Sequence, residues 1–375
     1  MNRLRSFVYW KAAVFLLIPG VAQAQGREGV PTLSGYMEIH LNKVEDRPAE
    51  ADLHRFVLMV GHSFSDRIKF WSEVEVEHAF VEGEEESGEV AVEQAYIDLM
   101  GRRSLNVRAG MMLVPVGIIN ERHEPPTFHG VERTFVDTVI IPTTWRDVGA
   151  GIFGDLGRGL SYKAYVMPGL DATGFSADEG IAEGRQQGSH ADASDPALTG
   201  RLEFRSRGLT AGGSFWYGGS GFGLTRLDIE APEVGVGSFD ARYRHGRHEL
   251  RGQWSMVSIG GAGDLNRALQ AQSGINPNVA SRLLGWYGEA ATRISPDSWA
   301  HEVVAFGRYE VYDTQNKMPD GFLPLQHLQR SAFTTGLTYY PDPDVAFKMD
   351  FIQERNKSDI VNAPWRVNFG VGWWF

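Results

Sequence analysis

The chain ends in Trp365-Arg-Val-Asn-Phe-Gly-Val-Gly-Trp-Trp-Phe375. In steps of two, Trp365, Val367, Phe369, Val371, Trp373 and Phe375 share one face, and Arg366, Asn368, Gly370, Gly372 and Trp374 share the other. Roughly ten residues of such alternation suffice for a tilted strand to cross the hydrocarbon of a bilayer. An ordinary amphipathic edge strand is the plainer alternative. In water, however, an unpaired strand this apolar is an aggregation hazard, so closure into a barrel with the greasy face toward lipid is favoured.

The rest of the chain is compatible with that reading. Arg3, Arg5 and Lys11 precede an apolar stretch from Ala12 to Ile18, a Pro19-Gly20 break and Ala22-Gln23-Ala24, which predicts a signal peptide over residues 1–24 and a single barrel domain over 25–375. Its removal takes the formal net charge from -11 to about -14, which argues against nucleic acid as a partner. There is no Cys, hence no disulfide and no thiolate chemistry. A Phe at the C-terminus resembles the signal by which outer-membrane barrels are presented to their assembly machinery, so that machinery and outer-membrane lipid are the expected partners of Phe375.

Period-2 reading gives sixteen candidate strands, at about 32–42, 53–62, 66–78, 90–100, 104–113, 147–155, 159–168, 197–206, 208–218, 235–244, 247–258, 281–293, 299–311, 331–340, 345–354 and 365–375. The expected fold class is therefore all-β, a sixteen-stranded antiparallel transmembrane barrel. Tight Gly-, Pro-, Asp- and Ser-rich turns such as Gly101-Arg-Arg103 and Pro341-Asp-Pro-Asp344 alternate with longer links at 114–146, 169–196, 219–234, 259–280 and 312–330. Short periplasmic turns and long extracellular loops are what such a barrel requires. In the third strand Ile68, Phe70, Val74 and Val76 are expected toward lipid and Glu73, Glu75 and Glu77 toward a wet lumen; in the fifteenth, Phe347, Met349 and Phe351 oppose Lys348 and Asp350. Sixteen strands enclose room for an aqueous channel.

The longest link reads Val114-Pro-Val-Gly117, Asn120-Glu121, His123-Glu-Pro-Pro-Thr-Phe128, Val131-Glu-Arg133 and Ile141-Pro-Thr-Thr-Trp-Arg146, followed by Val148-Gly-Ala-Gly-Ile-Phe-Gly154. Over residues 105–170 the chain resembles the phosphate-selective porin family, the outer-membrane porins O and P. The resemblance implies a sixteen-stranded barrel, usually a homotrimer, that passes small polar solutes or anions, with the link 114–146 folded inward as a constriction. Candidate pore-lining residues are Arg108, Glu121, Arg122, Arg133, Arg146, Arg201, Arg205, Arg242, Arg244, Arg251, Arg308 and Arg366. Family members that select phosphate add lysines, yet this chain has only seven, and inward acids such as Glu73, Asp98, Glu203, Asp240, Glu249 and Glu310 offset the arginines. Passive diffusion of small hydrophilic solutes is the expected function, with anion or phosphate selectivity as the alternative.

No cofactor and no metal site is expected. His123, Glu124 and His129 are spaced suggestively, but Pro125-Pro126 forbids the helix that a zinc His-Glu-x-x-His motif needs, so loop packing is preferred. The acidic link with Asp171, Asp178, Glu179, Glu183, Asp192 and Asp195 lacks calcium-loop spacing. A barrel hydrolase is less favoured, because no Gly-x-Ser-x-Gly element occurs and no enzyme is expected. A structural or adhesive barrel with a plugged lumen stays open as a third reading.

Overall fold

The computed structural model describes residues 29–78, 88–222, 224 and 229–375; the expected signal peptide lies outside them. Sixteen antiparallel strands form one closed barrel, each paired with its chain neighbours and the last with the first. They are β1 (Thr32–Val44), β2 (Ala49–Ser65), β3 (Ile68–Glu77), β4 (Glu89–Arg102), β5 (Leu105–Leu113), β6 (Arg146–Gly157), β7 (Leu160–Pro168) and β8 (Pro196–Ser206). They continue as β9 (Leu209–Gly219), β10 (Glu233–His245), β11 (His248–Ile259), β12 (Arg282–Arg293), β13 (Glu302–Lys317), β14 (Gln329–Asp342), β15 (Val345–Asn356) and β16 (Trp365–Trp374). No helix among the described residues is long and apolar enough to cross a membrane.

Alternation sets the two faces. In β15 Phe347, Met349 and Phe351 are exposed outward, whereas Lys348 and Asp350 are buried inside; in β3 Glu73 and Glu75 are buried. The seam is built as the terminal segment suggests: β16 runs antiparallel to β1 with Phe369 opposite Leu41 and Asn368 opposite Asn42. Phe375 exchanges backbone hydrogen bonds with Gly35, its N–H donating to the Gly35 carbonyl at 2.9 Å. Its ring stacks on Phe56 across the outer surface, with centroids 6.0 Å apart.

One link is shorter than the periodicity suggests. β1 and β2 are joined through residues 45–48 alone, because both strands continue past the apolar belt. By contrast, the link between β5 and β6, residues 114–145 (loop 3), folds into the barrel and supplies much of its interior. Val114, Val116, Ile118, Phe128, Val136, Ile140, Ile141 and Trp145 are buried there against wall residues Tyr287, Trp216 and Tyr312. The link between β11 and β12 carries the one α-helix among the described residues, α1 (Ala262–Ser273).

Candidate functional site

Loop 3 is tied down from its base outward. At the base Asn120 donates to the carbonyls of Val114 (2.8 Å) and Trp145 (2.9 Å) and accepts from the Trp145 N–H (2.8 Å). One side chain thus satisfies the backbone where the loop leaves and rejoins the wall, which matters because buried unpaired peptide groups are costly. Across the lumen, Gln253 of β11 accepts from Ile118 N (2.8 Å) and donates to Asp137 (2.7 Å). Asp350 of β15 accepts from Val131 N (2.6 Å), and Asn42 of β1 donates to Glu132 (2.9 Å). Burial raises the Asp137 carboxyl to about 6, against hydrogen bonds from Thr134 and Gln253 that pull it down. Burial also works against ionised Glu132, yet hydrogen bonds from His40 and Asn42 hold its carboxyl at about 2.

The wall glycines answer to this loop. A side-chain carbon on Gly372 of β16 would lie 2.5 Å from Pro125, and one on Gly370 would lie 2.9 Å from Val131. The small inward face of the last strand is therefore the seat of the loop.

Most of the expected pore arginines are inside and ion-paired. Two carboxylates each collect three of them. Glu203 accepts from Arg122 (2.9 Å), Arg201 (3.0 Å) and Arg205 (2.6 Å), while Arg201 also grips Asp240 at 2.6 and 2.8 Å. Glu249 accepts from Arg242 (2.8 Å) and Arg251 (3.1 Å) and pairs with Arg244. Arg108 lies on Asp98 in a bidentate pair (2.8 and 2.9 Å) with its guanidinium 3.7 Å from the Tyr96 ring centroid. Arg308 bonds Glu310 (2.7 Å), Arg366 bonds Glu354 (2.7 Å), and Glu121 accepts from Lys163 (2.5 Å). Three arginines also hold loop carbonyls: Arg201 that of Gly117, Arg251 that of Thr127 and Arg308 that of His129.

Two candidates differ. Among the described residues Arg133 has no carboxylate partner, and it donates to the hydroxyls of Thr143 and Thr144. Arg146 does not share the inward face expected of it: strand alternation puts it with the outward Val148 and Ile152, at the end of β6, where it is buried and its Nη1 meets the Thr144 carbonyl at 3.4 Å. Sequence reasoning passed over Arg55, which bridges Glu38 (2.7 Å), Glu75 (3.1 Å) and Glu77 (3.4 Å), although its alternation with the apolar Phe56, Leu58 and Val60 was the available signal.

Among the described residues, loop 3 borders at least two cavities on the side of the short turns. The larger, of about 760 Å³, is lined by Arg102, Arg103, Arg108, Arg122, Lys163, Arg201 and Arg205 against Glu121, Asp155 and Glu203. Seven cations face three carboxylates there, in a chain whose net charge is -11. The second, of about 440 Å³, has loop 3 residues Pro126 and His129 in its wall and carries arginines and acids in equal number.

A closed sixteen-stranded barrel with an inward third loop and a charged lumen is the architecture of outer-membrane porins. Solved structures of that architecture superpose on most of the chain. The anion-selective porin from Comamonas acidovorans matches with a TM-score of 0.58 at 13% identity, over 92% of this chain and 99% of that one. OmpF of Salmonella typhi, solved in complex with daunomycin, matches with 0.59 at 12% identity, over 92% and 97%. The outer-membrane channel DcaP of Acinetobacter baumannii matches with 0.56 at 12% identity, over 92% and 97%. No protein-family model matches the chain. In sequence it is 36% identical over 363 residues to an uncharacterized protein of Aquifex aeolicus (strain VF5), spanning 94% of this chain and 81% of that one. The chain belongs to the same family as that protein.

Proposed function

We propose that the chain is an outer-membrane porin through which small hydrophilic solutes diffuse passively, with loop 3 setting the constriction. The observation that carries this reading is the loop itself, folded into a wide barrel and hydrogen-bonded to strands on several sides, with ionised side chains lining the space it leaves. Exposed outward residues such as Phe239, Phe333, Phe351, Leu198 and Leu202 suit a lipid-facing belt. On the same reading Phe375 serves as the assembly signal, the signal peptide of residues 1–24 is removed, and the working unit is a homotrimer; OmpT of Vibrio cholerae, which shares the fold, is described in a trimer form. Reconstitution of the folded protein in planar bilayers tests the function. Discrete conductance steps are expected, and a folded protein that passes no current sinks the reading in favour of a plugged, structural barrel.

Anion preference is the narrower reading, and the cation-rich vestibule supports it. It would place the chain functionally beside the phosphate-selective porins that loop 3 resembles. In a salt gradient the reversal potential should then favour chloride, and millimolar phosphate should reduce the chloride current. A reversal potential favouring cations removes this reading and leaves general diffusion standing.

A further inference from the structure

His123, in loop 3, is buried against the β3–β4 wall. Its Nδ1 lies 3.0 Å from the Asn120 carbonyl, so the N–H of that nitrogen donates there and Nε2 is turned toward the wall. Nε2 then meets Glu93 at 3.2 Å and Glu73 at 3.9 Å. Two ligand atoms about 2.1 Å from a shared tetrahedral ion stand roughly 3.4 Å apart, and these separations bracket that value.

The wall is shaped for this encounter. β3 and β4 lose register between Glu73 and Val74, leaving Glu93 as an extra residue, and the bulge turns both Glu93 and Gln94 inward. Gln94 donates to Glu73 Oε2 at 2.6 Å and leaves Oε1 on the His123 side. Glu73 Oε1 and Glu93 Oε1 are both buried and find no hydrogen-bond partner among the described residues. The Arg55 guanidinium is shared among Glu38, Glu75 and Glu77. Two buried carboxylates around one imidazole call for a further positive charge, which protons or a bound cation can supply, since uncompensated buried charge is strongly unfavourable.

We propose that Glu73, Glu93 and His123 bind a divalent transition-metal cation, which clips loop 3 to the β3–β4 wall. One imidazole and two carboxylates suit zinc and its borderline neighbours, and the Asn120 carbonyl and the Gln94 amide act as the outer groups that orient such ligands.

The folded protein in detergent, stripped with chelator, incubated with Zn²⁺ and desalted, is read by elemental analysis. About one tightly held Zn²⁺ per chain is expected, and Glu93→Gln and His123→Ala should each cut retention at least ~10-fold. Glu203→Gln, in the remote arginine cluster, should retain zinc as the wild type does. Heat-modifiable migration on gels reports folding, and should His123→Ala fail to fold, Glu73→Gln takes its place. Co²⁺ in place of zinc should give visible absorption that the variants lack. Wild-type protein that retains no Zn²⁺, or folded Glu93→Gln that retains as much as wild type, overturns the proposal. Conductance is a separate readout, so failure here is distinct from failure as a channel.

Discussion

Gln253, on the wall strand β11, donates to Asp137, in the middle of loop 3, across a 2.7 Å hydrogen bond, and its other amide atom holds Ile118 of the same loop. A single wall side chain thus fixes two points of the loop nearly twenty residues apart in sequence. Because burial raises the Asp137 carboxyl to about 6 from an ordinary 3.8, its protonation contributes to docking. That contribution is fully present below the unfolded value and lost as pH rises through about 6, on the order of 3 kcal/mol. Hydrogen exchange of loop 3 amides, corrected for intrinsic rate, should therefore quicken between pH 4 and 7. Asp137→Asn should flatten the dependence; a variant with the wild-type profile would assign it elsewhere.

The two three-arginine clusters make a prediction about ion preference. Glu203→Gln removes the carboxylate shared by Arg122, Arg201 and Arg205 and leaves Asp240 to hold only Arg201. One added positive charge in a watery vestibule is worth roughly 1 kcal/mol at close range, for an anion and against a cation, so anion over cation permeability should rise by up to about thirtyfold. Reversal potentials in a salt gradient measure this directly. An unchanged ratio would place the cluster off the ion path.

At the loop base, Asn120→Ala leaves the buried Trp145 N–H unpaired, while the Val114 carbonyl keeps the Val116 N–H and the Trp145 carbonyl keeps the Val114 N–H. A buried unpaired N–H costs about 1 to 3 kcal/mol, so the loop should loosen while the barrel persists. Limited proteolysis should cut first within residues 114–145, and channel recordings should become noisier. Equal protease resistance in variant and wild type would show the latch to be redundant.

Gly372→Leu tests the seat on β16. The added side chain meets Pro125 at less than contact distance and cannot be absorbed by the wall on that face. Loop 3 should be displaced and single-channel conductance should increase. A folded variant with unaltered conductance would mean that the loop yields without moving the constriction.

The strands were legible because lipid demands an unbroken apolar face. The signal fades where that demand ends: Lys43 to Asp52 carries little apolar alternation, so the sequence suggests a ten-residue link where β1 and β2 run on to a four-residue turn. Glu93 shows a second limit. Counting back from inward Asp98 puts it on the lipid side, and only the bulge, which inverts parity locally, brings it inside. His123, Glu124 and His129 look like neighbours in sequence, but the fold takes His129 to the Phe306 ring and His123 to Glu73 and Glu93. Inward arginines could be read from alternation; which carboxylate each would share depends on strand register and on the course of loop 3, neither of which is local.

The seam between β1 and β16 joins the first strand made to the last, so no cylinder can exist until the whole chain is present. Loop 3 touches both sides of that join, through His40 and Asn42 on β1 and through Gly370 and Gly372 on β16, with Asp350 of β15 beside them. It is thus a splint across the join. Seating the loop therefore adds to both edges of the seam contacts beyond those the two strands make with each other.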